Sequence, residues 1–395
     1  MDNEFTLDLS PFPRELKLLL LFTAMGNDPD RADRIKDCLT DIDWNLFLQL
    51  ARHHRVYPLV YSNLKKVDKE LIPVHIMQAL YLDYSRNTFQ MLHLTAEMEK
   101  ICRLFDDNHI RTLLLKGPVL TQALYGDLSL RTCKDLDILL PFEDVEKAEQ
   151  LLIKQGFAPD HEEIRILNDW KWRVHHLSYY NPETKVQVEI HWRLNPDKGS
   201  EPDFDEMWSR RSVSTVTNYP IHVLGDEDMF LFLVTHGARH AWFRLRWLAD
   251  IDRLVRKPLN WEGIFTLLKK YHCQAVGGQA LVLVSELLLT PLSEDLKPLY
   301  FKKQMYRLAQ SAIIFIQDMI TLSPVPKHLK IYYRRYLFSL RSLPQKWAFV
   351  FSQLYPNNRD LETLPLPKQL YLLYFPLRPF LWCWRRMKQQ QHASS

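Results

Sequence analysis

The sequence predicts an α+β fold, with a small mixed sheet between helical regions at the two ends of the chain. Apolar residues recur at helical spacing before residue 108 and again after residue 226. Between these two stretches, short apolar runs bounded by turn residues predict strands. The length of 395 residues, with 47% hydrophobic and 25% charged residues, is enough for two or three domains with a sizeable core.

We expect four regions along the chain. A helical region covers 1–108, a core that contains the sheet covers 109–225, a helical domain covers 226–325, and a basic, aromatic-rich region covers 326–395. In the first half, the pattern predicts helices over 14–25, 44–65 and 74–107, a strand over 112–115, a turn at 116–118, a helix through 125, a strand over 135–140 and a helix over 143–155. The helix over 44–65 is interrupted by a polar corner at 52–55.

Two strands are predicted over 176–180 and 185–192, joined by Asn181-Pro182-Glu183-Thr184, a sequence typical of a hairpin turn. After residue 226 the pattern is helical again, with predicted helices over 226–240, 243–256, 261–271, 275–288 and 304–322.

The charge and the cysteines exclude several classes of protein. The five cysteines are scattered and include no Cys-x-x-Cys pair, which argues against a disulfide framework or a zinc knuckle and favours a cytoplasmic location. No targeting signal or membrane span is predicted, because the apolar stretch at 369–384 is interrupted by Pro376, Arg378 and Pro379. The net charge is only +4, but residues 327–395 hold twelve Lys and Arg against two acidic residues.

Two aspartates in the predicted strand over 135–140 are the first candidates for chemistry. Alternate residues of a strand point to the same face, so Asp135 and Asp137 place two carboxylates close together. Such a pair suits Mg²⁺, and two such ions can hold the attacking and leaving oxygens of a phosphoryl or nucleotidyl transfer. Glu189, an acid within a largely apolar strand, is the candidate for a third carboxylate. The alternative is that all three acids face solvent on an amphipathic sheet.

Two neighbouring features offer positive charge. Lys116 and Gly117 lie at a strand-to-helix turn, where an ammonium group and backbone N–H groups could face a triphosphate. Arg131 lies four residues before Asp135 and is a further candidate for binding an anionic substrate, although it could equally be a surface arginine.

Taken together, these residues resemble a known family. The similar segments are Leu115-Lys116-Gly117, Tyr125-Gly126-Asp127, Arg131, Asp135-x-Asp137-Ile138-Leu139-Leu140, Glu189-Ile190-His191-Trp192, the stretch over 51–59 and the stretch over 236–250. The chain resembles the uncharacterised bacterial nucleotidyltransferases of the DNA polymerase β superfamily over most of its length. One departure is Pro118 in the turn, where the wider superfamily usually has Gly-Gly-Ser or Gly-Ser.

The resemblance implies a minimal nucleotidyltransferase core, a small mixed sheet with helices, flanked by the two helical regions. It implies that Asp135, Asp137 and Glu189 are catalytic and bind two Mg²⁺ ions, with Mn²⁺ as an alternative, while Lys116, Gly117 and Arg131 bind the NTP. The chain would transfer NMP to an unidentified acceptor hydroxyl or phosphate and release pyrophosphate. The alternatives are an enzyme that modifies tRNA or a protein, and a non-catalytic nucleotide-binding regulatory protein of the same fold.

We also expect that replacing Asp135 or Asp137 by Ala removes transfer and leaves the melting temperature unchanged or slightly raised, because one of two repelling carboxylates is lost.

Other charged and aromatic residues have competing interpretations. His236 and His240, four apart on a predicted helix, could bind zinc with Asp250 or Asp252, but Arg239, His240 and Arg246 fit better as the border of the active cleft. The pairs His53-His54 and His175-His176 are interpreted as structural or surface residues, because no nearby ligand cluster uses them.

The basic and aromatic region over 326–395 has three interpretations. It could pack on the core, bind an anionic membrane surface or an acidic partner, or, with less support, bind nucleic acid. The second interpretation would make the protein peripheral at a membrane.

Overall fold

The computed structural model describes residues 5–26, 31–39, 41–66, 71–160, 174–196, 201–322, 324–352 and 358–391. The first part of the chain is helical, with α1 (Arg14–Thr23), α2 (Arg31–Leu39), α3 (Trp44–His53), α4 (Tyr57–Leu64) and the long α5 (Val74–Asp107). The polar corner predicted at 52–55 separates α3 from α4, and Arg55 adopts a φ of 57° there. Helix α2 was not predicted from the sequence.

A seven-stranded mixed sheet follows. Its strands are β1 (Leu113–Leu114), β2 (Asp135–Leu139), β3 (Ala158–Pro159), β4 (His176–Asn181), β5 (Val186–His191), β6 (Ser212–Ser214) and β7 (Ile221–Val223), in the spatial order β3-β4-β5-β2-β1-β7-β6. The pairs β2–β5 and β1–β7 are parallel, and the others are antiparallel. Helices α6 (Pro118–Tyr125), α7 (Val145–Lys154) and α8 (Phe204–Ser209) are interspersed among these strands.

The rest of the described chain is helical. It contains α9 (Asp226–Arg239), α10 (Leu245–Val255), α11 (Trp261–Lys270), α12 (Gln274–Leu288), α13 (Lys297–Tyr300), α14 (Lys303–Gln317), α15 (Lys330–Leu340), α16 (Leu343–Ser352), α17 (Asn358–Thr363) and α18 (Tyr374–Gln391). No helix in the described ranges is long and apolar enough to cross a membrane.

Two apolar clusters hold these elements together. The smaller one joins α5 and α7 to one face of the sheet, where Leu136, Ile138 and Val188 are buried. The larger one joins the N-terminal helices to α9, α10, α12 and α14, and it reaches the opposite face of the sheet at Leu139. The helices before and after the sheet therefore share one core, because each buries its apolar stripe against the other set.

The mixed arrangement of helices and strands predicted from the sequence is confirmed. The hairpin predicted at residues 181–184 is present, and the Asn181 side chain accepts hydrogen bonds from the backbone N–H groups of Glu183 and Thr184 at 2.9 and 3.1 Å. The short strands β3, β6 and β7 were not predicted, because two or three residues carry no readable alternation. The four domain boundaries remain a prediction.

Candidate active site

The pairing of β2 with β5 brings two of the predicted carboxylates together. The strands are parallel, with Asp135 opposite Gln187, Asp137 opposite Glu189, and Leu139 opposite His191. Because side chains alternate along each strand, all of these residues lie on the face of the sheet opposite α5 and α7. Glu189 therefore shares a face with both aspartates, as the sequence predicted.

The hairpin of β4 and β5 adds residues that the sequence did not assign to this site. His176 pairs with His191, and Ser178 pairs with Glu189. The rings of His176 and His191 stack with their centroids 4.8 Å apart. This is a correction to the sequence interpretation, in which His175 and His176 had no ligand cluster near them.

Asp137, Glu189 and His191 form the centre of the site. One ligand atom from each lies within 4.8 Å of the others. His191 Nε2 lies 3.2 Å from Asp137 Oδ1 and 3.3 Å from Glu189 Oε2, so a proton on this nitrogen bridges the two carboxylates. On the other side, Lys116 Nζ lies 3.1 Å from Asp137 Oδ2.

These contacts determine the charges of the buried groups. Burial alone would raise the pKa of Asp137, but the charge of Lys116 and the hydrogen bond with His191 outweigh burial and hold this pKa well below its usual range. Burial alone would lower the pKa of His191, but its hydrogen bonds with Asp137 and Glu189 raise it overall. Asp137 is therefore ionised while buried, because the Lys116 ammonium group and the His191 ring flank it.

Two further histidines stay neutral beside this centre. Burial, followed by the charge of His191, lowers the pKa of His176 to about 4. Burial and the neighbouring Arg239 hold the pKa of His175 far below its usual range. Arg239 Nη1 lies 3.0 Å from His175 Nε2, so Arg239 contacts the histidine cluster; its role at the border of an active cleft stays a prediction.

Asp135 lies on the same face but outside this group. It is half-exposed, one step along the register beside Gln187, and in the described part of the chain it joins no set of three metal-ligating side chains within 4.8 Å. The third donor beside Asp137 and Glu189 is thus His191 rather than Asp135. His191 follows Glu189 by two residues on β5, so its side chain points to the same face of the sheet and lies beside Asp137 and Glu189.

The turn between β1 and α6 carries Lys116 and Gly117. Gly117 has a φ of 86°, a backbone conformation that favours glycine, and it precedes the first turn of α6. The Leu115 N–H donates to the Asp137 carbonyl at 3.0 Å, which fixes the turn beside β2. Lys116 therefore enters the site, and its described ionic contact is with Asp137.

Arg131 differs from its predicted role. Its Nε and Nη2 donate to the two carboxylate oxygens of Asp250 at 2.8 and 2.9 Å, and the Arg131 side chain is 1% exposed. Tyr125 also donates to Asp250, at 2.8 Å. Instead of lying open to a triphosphate, Arg131 joins the loop before β2 to α10 through a buried ion pair.

The remaining candidates also lie in packing contacts. His240 stacks on Trp247 with centroids 5.1 Å apart, and the half-buried Arg246 donates to the Thr132 carbonyl. Asp252 contacts Arg256 and Thr290. Among the described residues, no metal-ligating group includes His236 or His240, so the zinc alternative has no support in the structure.

The sequence contained a signal for the missed histidines. His191 is two residues after Glu189, so the alternation that places Glu189 on the site face also places His191 there. The predicted hairpin then sets His176 across from His191. The step that sequence reasoning lacked was the hairpin register, which decides which residue of β4 faces the site.

Comparison with known proteins identifies a family. A family model described as an uncharacterised nucleotidyltransferase matches residues 40–289. This stretch covers more than half of the chain and includes Lys116, Asp137, the β4–β5 hairpin and Arg239. No curated protein matches the chain.

Proposed function

Because this chain belongs to a family of uncharacterised nucleotidyltransferases, we propose that it transfers NMP from an NTP to an acceptor hydroxyl or phosphate. The acceptor oxygen forms a bond to the α-phosphorus, and a hydroxyl acceptor releases its proton to water. The bond from that phosphorus to the bridging oxygen breaks, and pyrophosphate leaves with the electron pair. The observation that carries the proposal is the parallel register of β2 and β5, which sets Asp137 beside Glu189.

The donors at this centre fit a divalent cation. Asp137 and Glu189 place two carboxylates side by side, with an oxygen of each within 4.8 Å of the other and of a His191 ring nitrogen. Carboxylate oxygens suit Mg²⁺ and Mn²⁺, and the ion would be held by Asp137 and Glu189, with Asp135 supplying a further carboxylate from the same face. When bound, such an ion supplies positive charge to the phosphates and makes an acceptor hydroxyl more acidic.

The residues of the chain have separate tasks in this proposal. Lys116 provides a mobile ammonium group at the turn before α6, where it attracts the phosphates of the NTP. Gly117 permits the turn that brings this lysine beside Asp137. Arg239 adds a second positive charge at the rim, next to His175.

Labelled NTPs supply the direct test. The protein is incubated with each α-labelled NTP, Mg²⁺ or Mn²⁺, and a pool of small hydroxylated metabolites, and labelled products are separated by chromatography. We expect a labelled product that Asp137→Asn does not form and that Asp205→Asn, an exposed control aspartate, does form. A product formed equally by Asp137→Asn would contradict the assignment. Nucleotide binding without transfer to any acceptor, including tRNA and protein, would favour the non-catalytic alternative.

A further inference from the structure

The hydrogen bonds around His175 determine which nitrogens of the neighbouring ring carry protons. Arg239 can only donate, so His175 Nε2, 3.0 Å from Arg239 Nη1, is an acceptor. His176 Nδ1 also lies 3.3 Å from this nitrogen. A lone pair on His176 Nδ1 would face the lone pair of His175 Nε2 and be repelled by it, so His176 Nδ1 carries the proton.

The other nitrogen of His176 then presents a lone pair. In the neutral ring, a proton on Nδ1 leaves Nε2 without one. His176 Nε2 lies 3.7 Å from Glu189 Oε2, so a lone pair faces a carboxylate oxygen. Two such acceptors repel each other unless a cation lies between them.

We propose that His176 Nε2 is a ligand of the divalent cation in this site, together with Glu189. This inference rests on the proposed function and names the metal that the site prefers. Imidazole binds first-row transition ions well and Mg²⁺ poorly, whereas carboxylates accept both. The site therefore selects Mn²⁺ over Mg²⁺, and Arg239 acts through His175 as a positioning residue that fixes the His176 tautomer.

Metal binding can be measured without any reaction. Free Mn²⁺ is followed by its electron paramagnetic resonance signal during titration of the full chain, and Mg²⁺ is added as a competitor. We expect Mn²⁺ to bind more tightly than Mg²⁺. His176→Gln should weaken Mn²⁺ binding about 10- to 100-fold and change Mg²⁺ binding little. His75→Gln, which alters an exposed histidine of α5, is the matched control.

Two results would overturn this inference: unchanged Mn²⁺ affinity in His176→Gln, or equal weakening of Mn²⁺ and Mg²⁺ binding in that variant. Failure of the proposed function has a different signature. If Mn²⁺ binding depends on His176 but no NTP is turned over, the metal assignment stands and the reaction is wrong. If transfer occurs and the Mn²⁺ affinity does not depend on His176, the proposed reaction is supported and the assignment of His176 as a ligand is wrong.

An independent observation concerns the C-terminal region. Helix α16 is rich in apolar residues, yet none of its residues is buried. Leu343, Trp347 and Phe351 are 72%, 64% and 64% exposed, and they recur at the spacing of one helical face with Val350 beside them. The opposite side of α16 makes the packing contacts, where Gln345 donates to the Tyr271 carbonyl and Phe349 lies against Phe338.

A basic cavity adjoins the start of this helix. It measures about 550 Å³ and contains no carboxylate among the residues that line it in the described part of the chain. Its cationic side chains are Lys269 on α11, Lys346 on α16, and Lys302 and Arg341 in the connections before α14 and α16. Lys346 lies on α16 itself, at the edge of the apolar stripe formed by Leu343, Trp347, Val350 and Phe351.

We infer that the α16 stripe and this cavity dock the protein on an anionic membrane surface. Aromatic and aliphatic side chains on one face of a helix, flanked by Lys and Arg, are typical of helices that lie in the membrane interface. The cavity supplies the complementary charge for lipid phosphates beside the stripe. An acidic protein would need an apolar groove beside its carboxylates, whereas an anionic membrane interface presents apolar and anionic groups over its whole surface.

Vesicle sedimentation tests this inference with the full chain. We expect binding to vesicles that contain phosphatidylglycerol, little binding to pure phosphatidylcholine, and loss of binding in high salt, because exposed charges are screened beyond about 10 Å at 0.1 M. Trp347→Ser with Phe351→Ser should reduce binding about tenfold or more, as should Lys269→Gln with Lys302→Gln. Phe89→Ser is the matched control, because Phe89 is 74% exposed on α5.

Other outcomes contradict the membrane proposal. Equal binding to both kinds of vesicle would remove the role of the cavity. Saturation of the cavity by inorganic phosphate without any binding to vesicles would show a free-anion site. A dimer in light scattering that Trp347→Ser and Phe351→Ser convert to a monomer, again without vesicle binding, would show that a second copy covers the stripe. Circular dichroism of each variant establishes that it is folded.

Discussion

Asp250 and Asp137 are both buried and each faces a cation, but their surroundings differ. Asp250 accepts two hydrogen bonds from Arg131 and one from Tyr125, all at 2.8 to 2.9 Å, and the Arg131 and Asp250 side chains are at most 1% exposed. Asp137 contacts Lys116 at 3.1 Å and shares the His191 imidazole with Glu189. The donors to Asp250 are rigid and match both of its carboxylate oxygens. Asp137 instead contacts the flexible ammonium group of Lys116 and competes with Glu189 for His191.

The difference separates the Arg131–Asp250 pair, which is closed to a ligand, from the Lys116–Asp137 pair, which can open to one. A guanidinium group bound through two nitrogens satisfies a carboxylate and leaves nothing for a ligand. Lysine is a point charge on a flexible stem, so it can move from a carboxylate to a phosphate. The Glu189 carboxylate and the lone pair of His176 lie near Asp137 as further acceptors. The negative charge at this centre is therefore not fully neutralised by Lys116. Burial alone therefore does not distinguish Asp250 from Asp137, the carboxylate that we propose acts in transfer; the balance of donors and acceptors does.

The largest effect is expected at the structural pair. Asp250→Asn leaves the Arg131 charge buried and unpaired, so the free energy of unfolding should fall by about 3–5 kcal/mol, measured by urea denaturation. The double variant Asp250→Asn with Arg131→Met removes the unpaired charge and should recover part of this loss. If the double variant is no more stable than Asp250→Asn, the unpaired Arg131 charge is not the cause of the lost stability.

A smaller loss of stability, together with a large fall in the rate of transfer, is expected at Asp137. Asp137→Asn removes the carboxylate that neutralises Lys116 and His191, so we expect a loss of about 2 kcal/mol and a fall in transfer of at least about 10²-fold. This replaces the expectation that the melting temperature stays unchanged or rises, because the structure shows cationic partners around Asp137. Calorimetry and the labelled-NTP assay measure the two effects; normal transfer would remove Asp137 from the site.

The pH dependence of stability should depend on Lys116. The native pKa of Asp137 is held below its unfolded value near 3.9, so its stabilisation is present above about pH 4 and is lost as the pH falls through the lower native pKa. Lys116→Met should therefore cost about 1 kcal/mol at pH 6–7, and this difference should shrink below pH 4. Urea denaturation at several pH values tests this. A difference that grows on acidification would contradict the ion pair.

The smallest effect on stability is expected at Asp135. This side chain is half-exposed and belongs to no ion pair in the described structure, so Asp135→Asn should change the free energy of unfolding by less than about 0.5 kcal/mol. If Asp135 completes the metal site from the same face of β2, transfer should still be lost. Full transfer by Asp135→Asn would limit the catalytic carboxylates to Asp137 and Glu189.

Sequence reasoning reached the site through the strands. The alternation in β2 and β5 predicted that Asp135, Asp137 and Glu189 share a face, and the turn residues predicted the β4–β5 hairpin. The same reasoning placed Arg131 with the substrate, since its spacing from Asp135 is compatible with that role. The partner that overturned this expectation, Asp250, lies 119 residues away on α10.

The sequence by itself determined which residues could be buried and which faces each strand and helix would present, because these follow from periodicity within a few residues. Only the tertiary structure decided the pairing between distant elements: Arg131 with Asp250, Lys116 with Asp137, and His176 with Glu189. The physical reason is that the partner a polar side chain meets is chosen among strands, helices and turns that are separate in the sequence. That choice depends on the packing of helices and the register of strands, which local sequence does not encode.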